Sequence, residues 1–465
     1  MNQQDHIHEP EPGRPGGHET RSPRRWWAVG LAGVTGLALT TVGIAATPAA
    51  DAIGRALTTD NHTGNPHPPN SDNRGGYQGQ HDDRGTGKGE KEKKPPGTPV
   101  PCDADALIAA ITLANAHGGA VLDLASKCTY LLTANLDGSG LPAITTPITL
   151  NGDKHTTIKR AAAVEQFRIL TVNVGGDLTL NHLTIAGGRT GSDGGGILVD
   201  PGGTLTTKHS TITRNIAATA GGGIGNNGTT TVTHSTINRN TAGTPGGGIW
   251  NTGLLTVTKS DITANLSGAS GGGIQSTNGT LLVDHSRINA NQSVTAGGGL
   301  EAFNGSGTIT NTEIAGNTGR AAGGATVSQG QLTFRNVLIA SNTTTMALAG
   351  GLNVNPDTVV TVEDSTIKNN TAVANGGGIF NFDLLVLRNT KVFGNQSGNQ
   401  GGGIYNNFTG ALTLFNSQVV ENIATTDGGG IFNNAIGVVD LNPATGTVVT
   451  KNRPNNCVNV PGCAG

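Results

Sequence analysis

Residues 221–240 read Gly-Gly-Gly-Ile-Gly-Asn-Asn-Gly-Thr-Thr-Thr-Val-Thr-His-Ser-Thr-Ile-Asn-Arg-Asn, and the chain repeats the outline of this stretch ten times from Gly194 onward. Each copy opens on a triplet of small residues. The residues that close the triplets are Ile197, Ile224, Ile249, Ile274, Leu300, Thr326, Leu352, Ile379, Ile404 and Ile431, at intervals of 27, 25, 25, 26, 26, 26, 27, 25 and 27 residues. A repeat of such regular period predicts a solenoid built one coil at a time.

A second pattern lies inside each repeat, in which an apolar residue stands three positions before an asparagine, as in Ile212 and Asn215. The asparagines of this pattern are Asn215, Asn240, Asn265, Asn291, Asn317, Asn342, Asn370, Asn395 and Asn422. Between the two patterns lies an alternating apolar pair such as Leu255 and Val257. Each repeat of ~26 residues is therefore predicted to hold three short strands.

The composition of the repeats disfavours helix, because glycine costs about 1 kcal/mol in a helix interior and β-branched residues prefer strands. The sequence therefore predicts an all-β fold, a parallel β-helix solenoid whose coils stack about 4.8 Å apart. Equivalent residues of successive coils would then form columns. Leucines and isoleucines are predicted to form inward columns, and the asparagines a ladder whose side-chain amides bond from coil to coil. The glycine triplets suit a turn that needs positive φ or close backbone approach.

These two patterns resemble the GGA(I/L) and FxxN repeats of the polymorphic outer-membrane protein family. The array from Ile144 to Asn452 is also similar to right-handed parallel β-helix domains of the pectin-lyase-like fold. What the resemblance implies is a fold and not a particular function, since one fold hosts many activities.

Both ends of the solenoid are predicted to be capped. Asp103–Ala116 should form an amphipathic helix with Asp103 as its N-cap residue and Leu107, Ile111 and Ala114 on one face. The segment from Cys102 resembles the CSLREA domain, a cysteine-plus-helix cap. The four cysteines allow three pairings, of which Cys102–Cys128 and Cys457–Cys463 stay within the two caps and are favoured.

The chain divides into five predicted segments. Residues 1–52 form a twin-arginine-like signal peptide or an uncleaved membrane anchor, because Arg24-Arg25 precedes an apolar stretch and a small-residue cleavage motif. Residues 53–100 are predicted to be a disordered polar linker, 101–143 the N-terminal cap, 144–452 the β-helix and 453–465 the C-terminal cap. We expect a monomer that is secreted or associated with the cell envelope, and that contacts a membrane only if the first segment is retained.

Charge and motifs exclude several classes of function. The formal net charge is −2 and only 13% of residues are charged, so the sequence offers no electrostatic basis for nucleic-acid binding. No metal site or cofactor is predicted. His182, His209 and His234 are predicted to stack, and three stacked imidazoles could hold a transition metal. A column of polar turn residues is the favoured interpretation, because asparagines occupy the same column later in the chain.

The candidate ligand-binding residues lie in the column formed by the residue after the isoleucine that closes each triplet. It contains Phe380, Tyr405 and Phe432 in the last coils and Trp250 further up. Strand alternation should point these residues outward, where stacked rings would offer apolar faces to sugars or to another protein. The alternative is that they stack on one another beneath a loop.

An enzymatic alternative rests on Arg335, Glu363 and Arg388, which share one column on successive coils. A polysaccharide lyase needs a cation and a base, and a glycoside hydrolase needs two placed carboxylic acids. A surface ion-pair ladder explains the same three residues at least as well.

The favoured prediction is an exported, non-enzymatic β-helix protein. It would present a rigid lateral surface for adhesion or carbohydrate binding, with a polysaccharide or a cell-surface protein as partner. The alternatives are a polysaccharide lyase or glycoside hydrolase, an ice-binding protein that uses its outward threonine column, or a purely structural envelope protein.

Overall fold

A computed structural model describes residues 97–464 of the chain. The predicted signal or anchor segment and nearly all of the predicted linker lie outside these residues. Within residues 97–464, no helix combines the length and the apolar character needed to cross a bilayer.

The described residues form a parallel β-helix in which the strands of each coil pair in parallel with those of the next. We call the four resulting sheets the threonine, glycine, isoleucine and short-strand sheets. The threonine sheet has 14 strands: Thr98–Val100, Ala120–Leu124, Pro147–Asn151, Asp177–Asn181, Thr204–Lys208, Thr229–Thr233, Leu254–Thr258, Thr280–Asp284, Ser306–Thr310, Gln331–Arg335, Val359–Glu363, Leu384–Arg388, Ala411–Phe415 and Val438–Asp440.

The glycine sheet follows the glycine triplets and has 12 strands: Leu170–Val172, Ile197–Val199, Ile224–Asn226, Ile249–Asn251, Ile274–Thr277, Leu300–Phe303, Ala325–Ser328, Leu352–Val354, Ile379–Asn381, Ile404–Asn406, Ile431–Asn433 and Cys457–Val458. The isoleucine sheet has 13 strands: Thr129–Leu132, Thr157–Arg160, Thr184–Ala186, Thr211–Thr213, Thr236–Asn238, Asp261–Thr263, Arg287–Asn289, Glu313–Ala315, Leu338–Ala340, Thr366–Lys368, Lys391–Phe393, Gln418–Val420 and Val448–Thr450.

Each repeat thus contains the three predicted strands, and the structure adds a fourth that the sequence did not predict. The short-strand sheet has 10 two-residue strands: Arg189–Thr190, Ile216–Ala217, Thr241–Ala242, Leu266–Ser267, Gln292–Ser293, Thr318–Gly319, Thr343–Thr344, Thr371–Ala372, Gln396–Ser397 and Ile423–Ala424. Two residues are too few to show a strand period, so only stacking against the neighbouring coils reveals these strands.

The register of one coil differs from the sequence prediction. Thr326 was expected to close the sixth triplet, but the strand pairing aligns Ala325 with Leu300 on one side and Leu352 on the other. That coil has a triplet of Ala322, Gly323 and Gly324, and the two intervals around it become 25 and 27 residues. The alignment keeps Ala325 in the core and moves Thr326 to the outward column.

The interior of the coil is a continuous apolar core. Both predicted inward columns are buried, as the fully inaccessible side chains of Leu255 and Ile262 illustrate for one coil. The parallel strands begin at Thr98, so the stacked array already occupies part of the segment predicted as the N-terminal cap.

The asparagine ladder is present and continues for one further residue to Asn452. In its middle the Asn291 amide donates to Asn317 Oδ1 at 3.1 Å, and the Asn317 amide donates to Asn342 Oδ1 at 3.0 Å. Each amide also donates to an isoleucine or valine carbonyl of the preceding coil, such as Ile288 O at 2.7 Å for Asn317. The ladder is fully buried and every member is paired, so we assign it a structural role.

The glycine triplet meets two separate steric demands, which the coil at Gly246-Gly247-Gly248 illustrates. Gly246 has φ +74°, a conformation that residues with a side chain rarely adopt. A Cβ atom on Gly247 would lie 2.6 Å from the Leu266 carbonyl oxygen, and one on Gly248 would lie 2.6 Å from that of Gly273. The first glycine is therefore required by its backbone angle, and the next two by the coil stacked against them.

The N-terminal cap contains the predicted helix, Ala104–Ala116, with Asp103 as N-cap residue accepting a hydrogen bond from the Ala106 amide at 2.8 Å. Its buried residues are Leu107, Ile111 and Ala114, as predicted. A single 3-10 helix, Pro443–Thr445, lies near the other end. The disulfides pair Cys102 with Cys128 and Cys457 with Cys463, as predicted, and disulfides of this kind indicate an oxidising compartment.

Candidate functional site

The first candidate, the column of Arg335, Glu363 and Arg388, forms an ion-pair ladder on the threonine sheet. Arg335 Nη2 lies 2.6 Å from Glu363 Oε2, and Arg388 Nε lies 4.0 Å from Glu363 Oε1. The Arg388 guanidinium also stacks 4.3 Å from the ring centre of Phe415. Both carboxylate oxygens of Glu363 therefore already face arginines, which favours the ion-pair interpretation over a catalytic base.

The aromatic column is stacked and mostly covered. The ring centres of Phe380 and Tyr405 are 4.7 Å apart, and those of Tyr405 and Phe432 are 5.2 Å apart. Phe380 is 3% exposed and Tyr405 is 8% exposed, because Leu348 and other residues of the neighbouring coils pack against them. The expectation of open aromatic faces is wrong for these two residues, and the alternative of rings stacked beneath a loop describes them.

The remaining aromatic candidates are more accessible. Phe432 and Trp250 are each half-buried, and Trp250 stands apart from the stack between Gly225 and Gln275 in the strand register. A binding role for the four aromatic residues stays a prediction, with Phe432 and Trp250 as the members that a ligand would reach first.

The histidine column is a column of left-handed turns. His182, His209 and His234 stack with ring centres 4.7 and 4.9 Å apart. Their column contains ten residues with φ between 45° and 54°: His182, His209, His234, Lys259, His285, Asn311, Asn336, Asp364, Asn389 and Asn416. Asparagine, aspartate and histidine are the side chains that this conformation tolerates best, which explains why they occupy nine of these ten positions. Across residues 97–464, no three His, Cys, Asp or Glu side chains cluster as a metal site.

The outward threonine column lies on the threonine sheet with its side chains half-buried to exposed, as at Thr256 and Thr308. It is interrupted by Leu282, which is 41% exposed, and by Val386. Ice binding by this face stays an untested alternative.

A lateral cleft of about 460 Å³ lies where the N-terminal cap meets the first coils of the glycine sheet. A cap turn that is closed by a bridge between Leu136 and Ser139 forms one wall, and the strands Leu170–Val172 and Ile197–Val199 form the other. The lining residues are Leu136, Asp137, Ser139, Pro142, Ala143, Arg168, Thr171, Asn173, Leu198 and Asp200. The size is within the range of about 300 to 1,000 Å³ that is usual for ligand pockets.

The centre of this cleft is Arg168, whose side chain is almost completely buried at 9% exposure. Its Nε and Nη2 atoms donate to the Asp193 carbonyl at 3.3 and 3.1 Å, and Nη2 also donates to the Ser192 hydroxyl. Burial lowers the pKa of Arg168, and the nearby carboxylates of Asp200 and Asp193 partly oppose this effect. No carboxylate among residues 97–464 lies within 4.0 Å of the guanidinium, and its Nη1 atom has no hydrogen-bond partner there.

The other polar groups of the cleft are mainly acceptors. Asp137 is exposed at the cap turn, and Asp200 and Asn173 are half-buried. The Ser139 and Thr171 hydroxyls are buried and bond to each other at 2.8 Å. Leu136, Pro142 and Leu198 provide the apolar part of the wall. Donor, acceptors and apolar surface thus converge on one concavity.

Sequence reasoning did not identify this cleft. Arg168 precedes the first glycine triplet and belongs to no repeated column, and Asp137 lies in the cap. The available signal was an arginine between Phe167 and Ile169, just before the strand Leu170–Val172.

The fold and the cleft define a parallel β-helix protein with a lateral polar cleft. Among solved structures, the chain is similar to the A-module of the mannuronan C-5 epimerase AlgE6 of Azotobacter vinelandii, with 14% identity and a TM-score of 0.35. The match covers 78% of this chain and 96% of the module. No protein-family model matches the chain, and no curated protein matches it.

Proposed function

We propose that this protein is exported to the cell envelope and binds carbohydrate, without cleaving it, in the cleft around Arg168. The observation that carries the proposal is the buried Arg168 guanidinium, which opens on a cleft of about 460 Å³ with one nitrogen unpaired. A sugar ring offers hydroxyls that donate and accept, and C–H faces that pack on apolar groups. The mixture of donor, acceptor and apolar lining matches this chemistry.

The charges of the cleft favour neutral sugars over acidic ones. Arg168 contributes one positive charge to the lining, whereas Asp137 and Asp200 contribute two negative charges. A polymer carrying a carboxylate on every residue would be repelled by the two aspartates. The hydroxyls of a neutral glycan would instead donate to these carboxylates, and a sugar oxygen would accept from Arg168 in a charge-assisted hydrogen bond.

The experiment is affinity electrophoresis of the purified full-length chain through gels that each contain one neutral or acidic polysaccharide, followed by staining for remaining polymer. We expect retardation by at least one neutral polymer without a cleared zone. Arg168→Ala should abolish most of the retardation. Arg335→Ala removes the same charge from a distant surface, so it is the matched control and should be retarded like the wild type.

Asp200→Asn provides a second, milder variant should Arg168→Ala disturb folding. Retardation of Arg168→Ala and Asp200→Asn equal to that of wild type would contradict the proposed site. A cleared zone would instead support an enzyme acting on the polymer.

A specific observation also favours protein adhesion as a second candidate function. The threonine sheet carries a run of apolar side chains on four successive coils, Val359, Leu384, Ala411 and Val438, of which Val359, Leu384 and Val438 are exposed by 39%, 38% and 63%. An exposed apolar patch of this kind commonly marks a protein-binding surface. Absence of retardation by every polymer would make this face the better explanation.

A further inference from the structure

The outward column of the glycine sheet changes character between Trp250 and Phe380. On the four coils between them it holds Gln275, Glu301, Thr326 and Asn353, and the strand register aligns each of these with the next. We call these four residues the polar row. The row could not be recognised from the sequence, because the sequence pattern assigned Thr326 to the inward column and only the strand register of the structure places it in the outward column.

The side chains of the polar row are all more than nine-tenths buried. Their exposures are 5% for Gln275, 8% for Glu301, 0% for Thr326 and 4% for Asn353. In each side chain one buried oxygen finds no hydrogen-bond partner among the described residues: Gln275 Oε1, Glu301 Oε2, Thr326 Oγ1 and Asn353 Oδ1. An unsatisfied buried polar atom costs about 1–3 kcal/mol, so four on successive coils call for a partner.

The contrast with the asparagine ladder shows that the fold can satisfy a polar column when its members are alike. There each side-chain oxygen accepts from the preceding asparagine, as Asn317 Oδ1 does from Asn291. The polar row mixes four side chains of different length. The Gln275 amide donates to Thr277, and the Asn353 amide donates to Asn355, so both amides spend a donor outside the row while their oxygens stay unpaired.

The row is closed on its flanks. The first glycines of two triplets lie against it, so that a Cβ atom on Gly271 would lie 2.7 Å from the Gln275 Cβ and one on Gly297 would lie 3.0 Å from the Glu301 Cβ. The register places Trp250 before the row and the buried Phe380 after it. No basic side chain within residues 97–464 forms a salt bridge with Glu301.

We propose that the polar row binds a hard, oxygen-coordinated cation between the Glu301 carboxylate and the Thr326 hydroxyl of the next coil. Every unpaired atom of the row is an oxygen, and one group can carry a negative charge. Coils stack about 4.8 Å apart, which is roughly twice the calcium–oxygen distance of about 2.4 Å. An ion midway between two coils therefore contacts an oxygen of each.

This site differs from the usual clusters of acidic ligands. It contains one carboxylate and takes its second protein oxygen from a hydroxyl, and oxygen ligands are those that a hard cation such as Ca²⁺ prefers. The sequence patterns, from which no metal site was predicted, do not reveal this arrangement.

The test begins with the full-length chain dialysed against EDTA and then against metal-free buffer. We expect equilibrium dialysis with CaCl₂ to show about one tightly held ion per chain that Glu301→Gln lacks, with at least a tenfold loss of affinity. Thermal unfolding should move upward by several degrees on adding CaCl₂ to the wild type. A parallel titration with NaCl against choline chloride separates a monovalent from a divalent ion, and a shift in either arm supports the proposal.

Glu363→Gln is the matched control, because it removes the same charge from the neighbouring sheet and should bind the ion as the wild type does. Thr326→Val removes one oxygen with little change of shape, so it tests the site independently if Glu301→Gln folds poorly, and it should weaken binding. Equal ion binding by the wild type, Glu301→Gln and Thr326→Val would overturn the proposal. So would a high-resolution crystal structure grown in CaCl₂ that shows only ordered water along the row.

Discussion

At the scale of the residue, some columns of this protein have their side chains determined by the backbone angle φ, and others by the hydrogen bonds that the side chains make. The left-handed φ of the column of His182 and Asn311 explains by itself why histidine and asparagine occupy it. The asparagines of the buried ladder are required by their hydrogen bonds. Arg168 and Glu301 differ from both columns, because each is buried and each keeps one polar atom without a partner among the described residues.

The Glu301 carboxyl should make stability depend on pH. Burial raises its pKa from the ordinary value of 4.5 to about 7, an effect only partly offset by a hydrogen bond from Ser270. The folded chain then holds this proton more tightly than the unfolded chain, so the free energy of unfolding falls as pH rises from about 4.5 to about 7. The fall attributable to Glu301 is on the order of 3 kcal/mol.

Urea unfolding in EDTA at a series of pH values checks this prediction. Glu301→Gln should remove this part of the pH dependence, and Glu363→Gln should keep it. An unchanged profile in Glu301→Gln would show that the carboxyl does not titrate as its burial implies.

At the scale of the element, the turn that carries the glycine triplet has the least room for a change of shape. Its second and third glycines lie against the carbonyl groups of the next coil, as Gly247 and Gly248 do. The same turn folds over the outward column of the glycine sheet. It thereby determines that Glu301 and Phe380 are buried although they point away from the core.

Gly247→Ala should be strongly destabilising, because its Cβ atom would lie 2.6 Å from the Leu266 carbonyl oxygen and force two coils apart. We expect a loss of at least about 2 kcal/mol in the free energy of unfolding, as for other substitutions that overfill a packed site. Gly191→Ala is the matched control, since no atom lies within 4 Å of the added Cβ and φ is not in the left-handed region. Its stability should be unchanged or slightly raised. Similar losses in the two variants would contradict the steric explanation.

At the scale of the whole molecule, stability is passed from coil to coil, because each coil contacts only its neighbours. The end coils lack one neighbour and are therefore the weakest part of such an array. The disulfide Cys102–Cys128 joins residues 26 apart at the N-terminal end, and Cys457–Cys463 joins residues only 6 apart at the other. Closing the longer loop should restrict the unfolded chain more.

Replacing both Cys102 and Cys128 with serine should lower the free energy of unfolding by on the order of 3 kcal/mol, and the same change at Cys457 and Cys463 should cost less. Hydrogen exchange locates the effect. We expect amide protection to fall in the first coils of the Cys102/Cys128 variant and to persist around the asparagine ladder at Asn317. A uniform loss of protection along the chain would show instead that the array unfolds as one unit.

The sequence by itself determined the period, the parallel stacking, the inward columns, the buried asparagine ladder and the helical cap. The first four follow from a pattern that every coil repeats, and the helical cap follows from its own N-cap residue and amphipathic spacing. The register at Ala325 and Thr326 was predicted wrongly by one residue, because the triplet there begins with Ala322 and is closed by an alanine.

Only the tertiary structure decided which outward residues are covered and where a concavity forms. Strand alternation predicts that Phe380 points away from the core, but its burial depends on the turn of a neighbouring coil. The cleft around Arg168 arises where a non-repeated cap turn meets the first coils, and the polar row arises from four unlike residues whose turns close over them. The repeat determines whether a side chain points towards or away from the core. The accessibility of an outward side chain depends on which residues of other coils or of the cap pack over it.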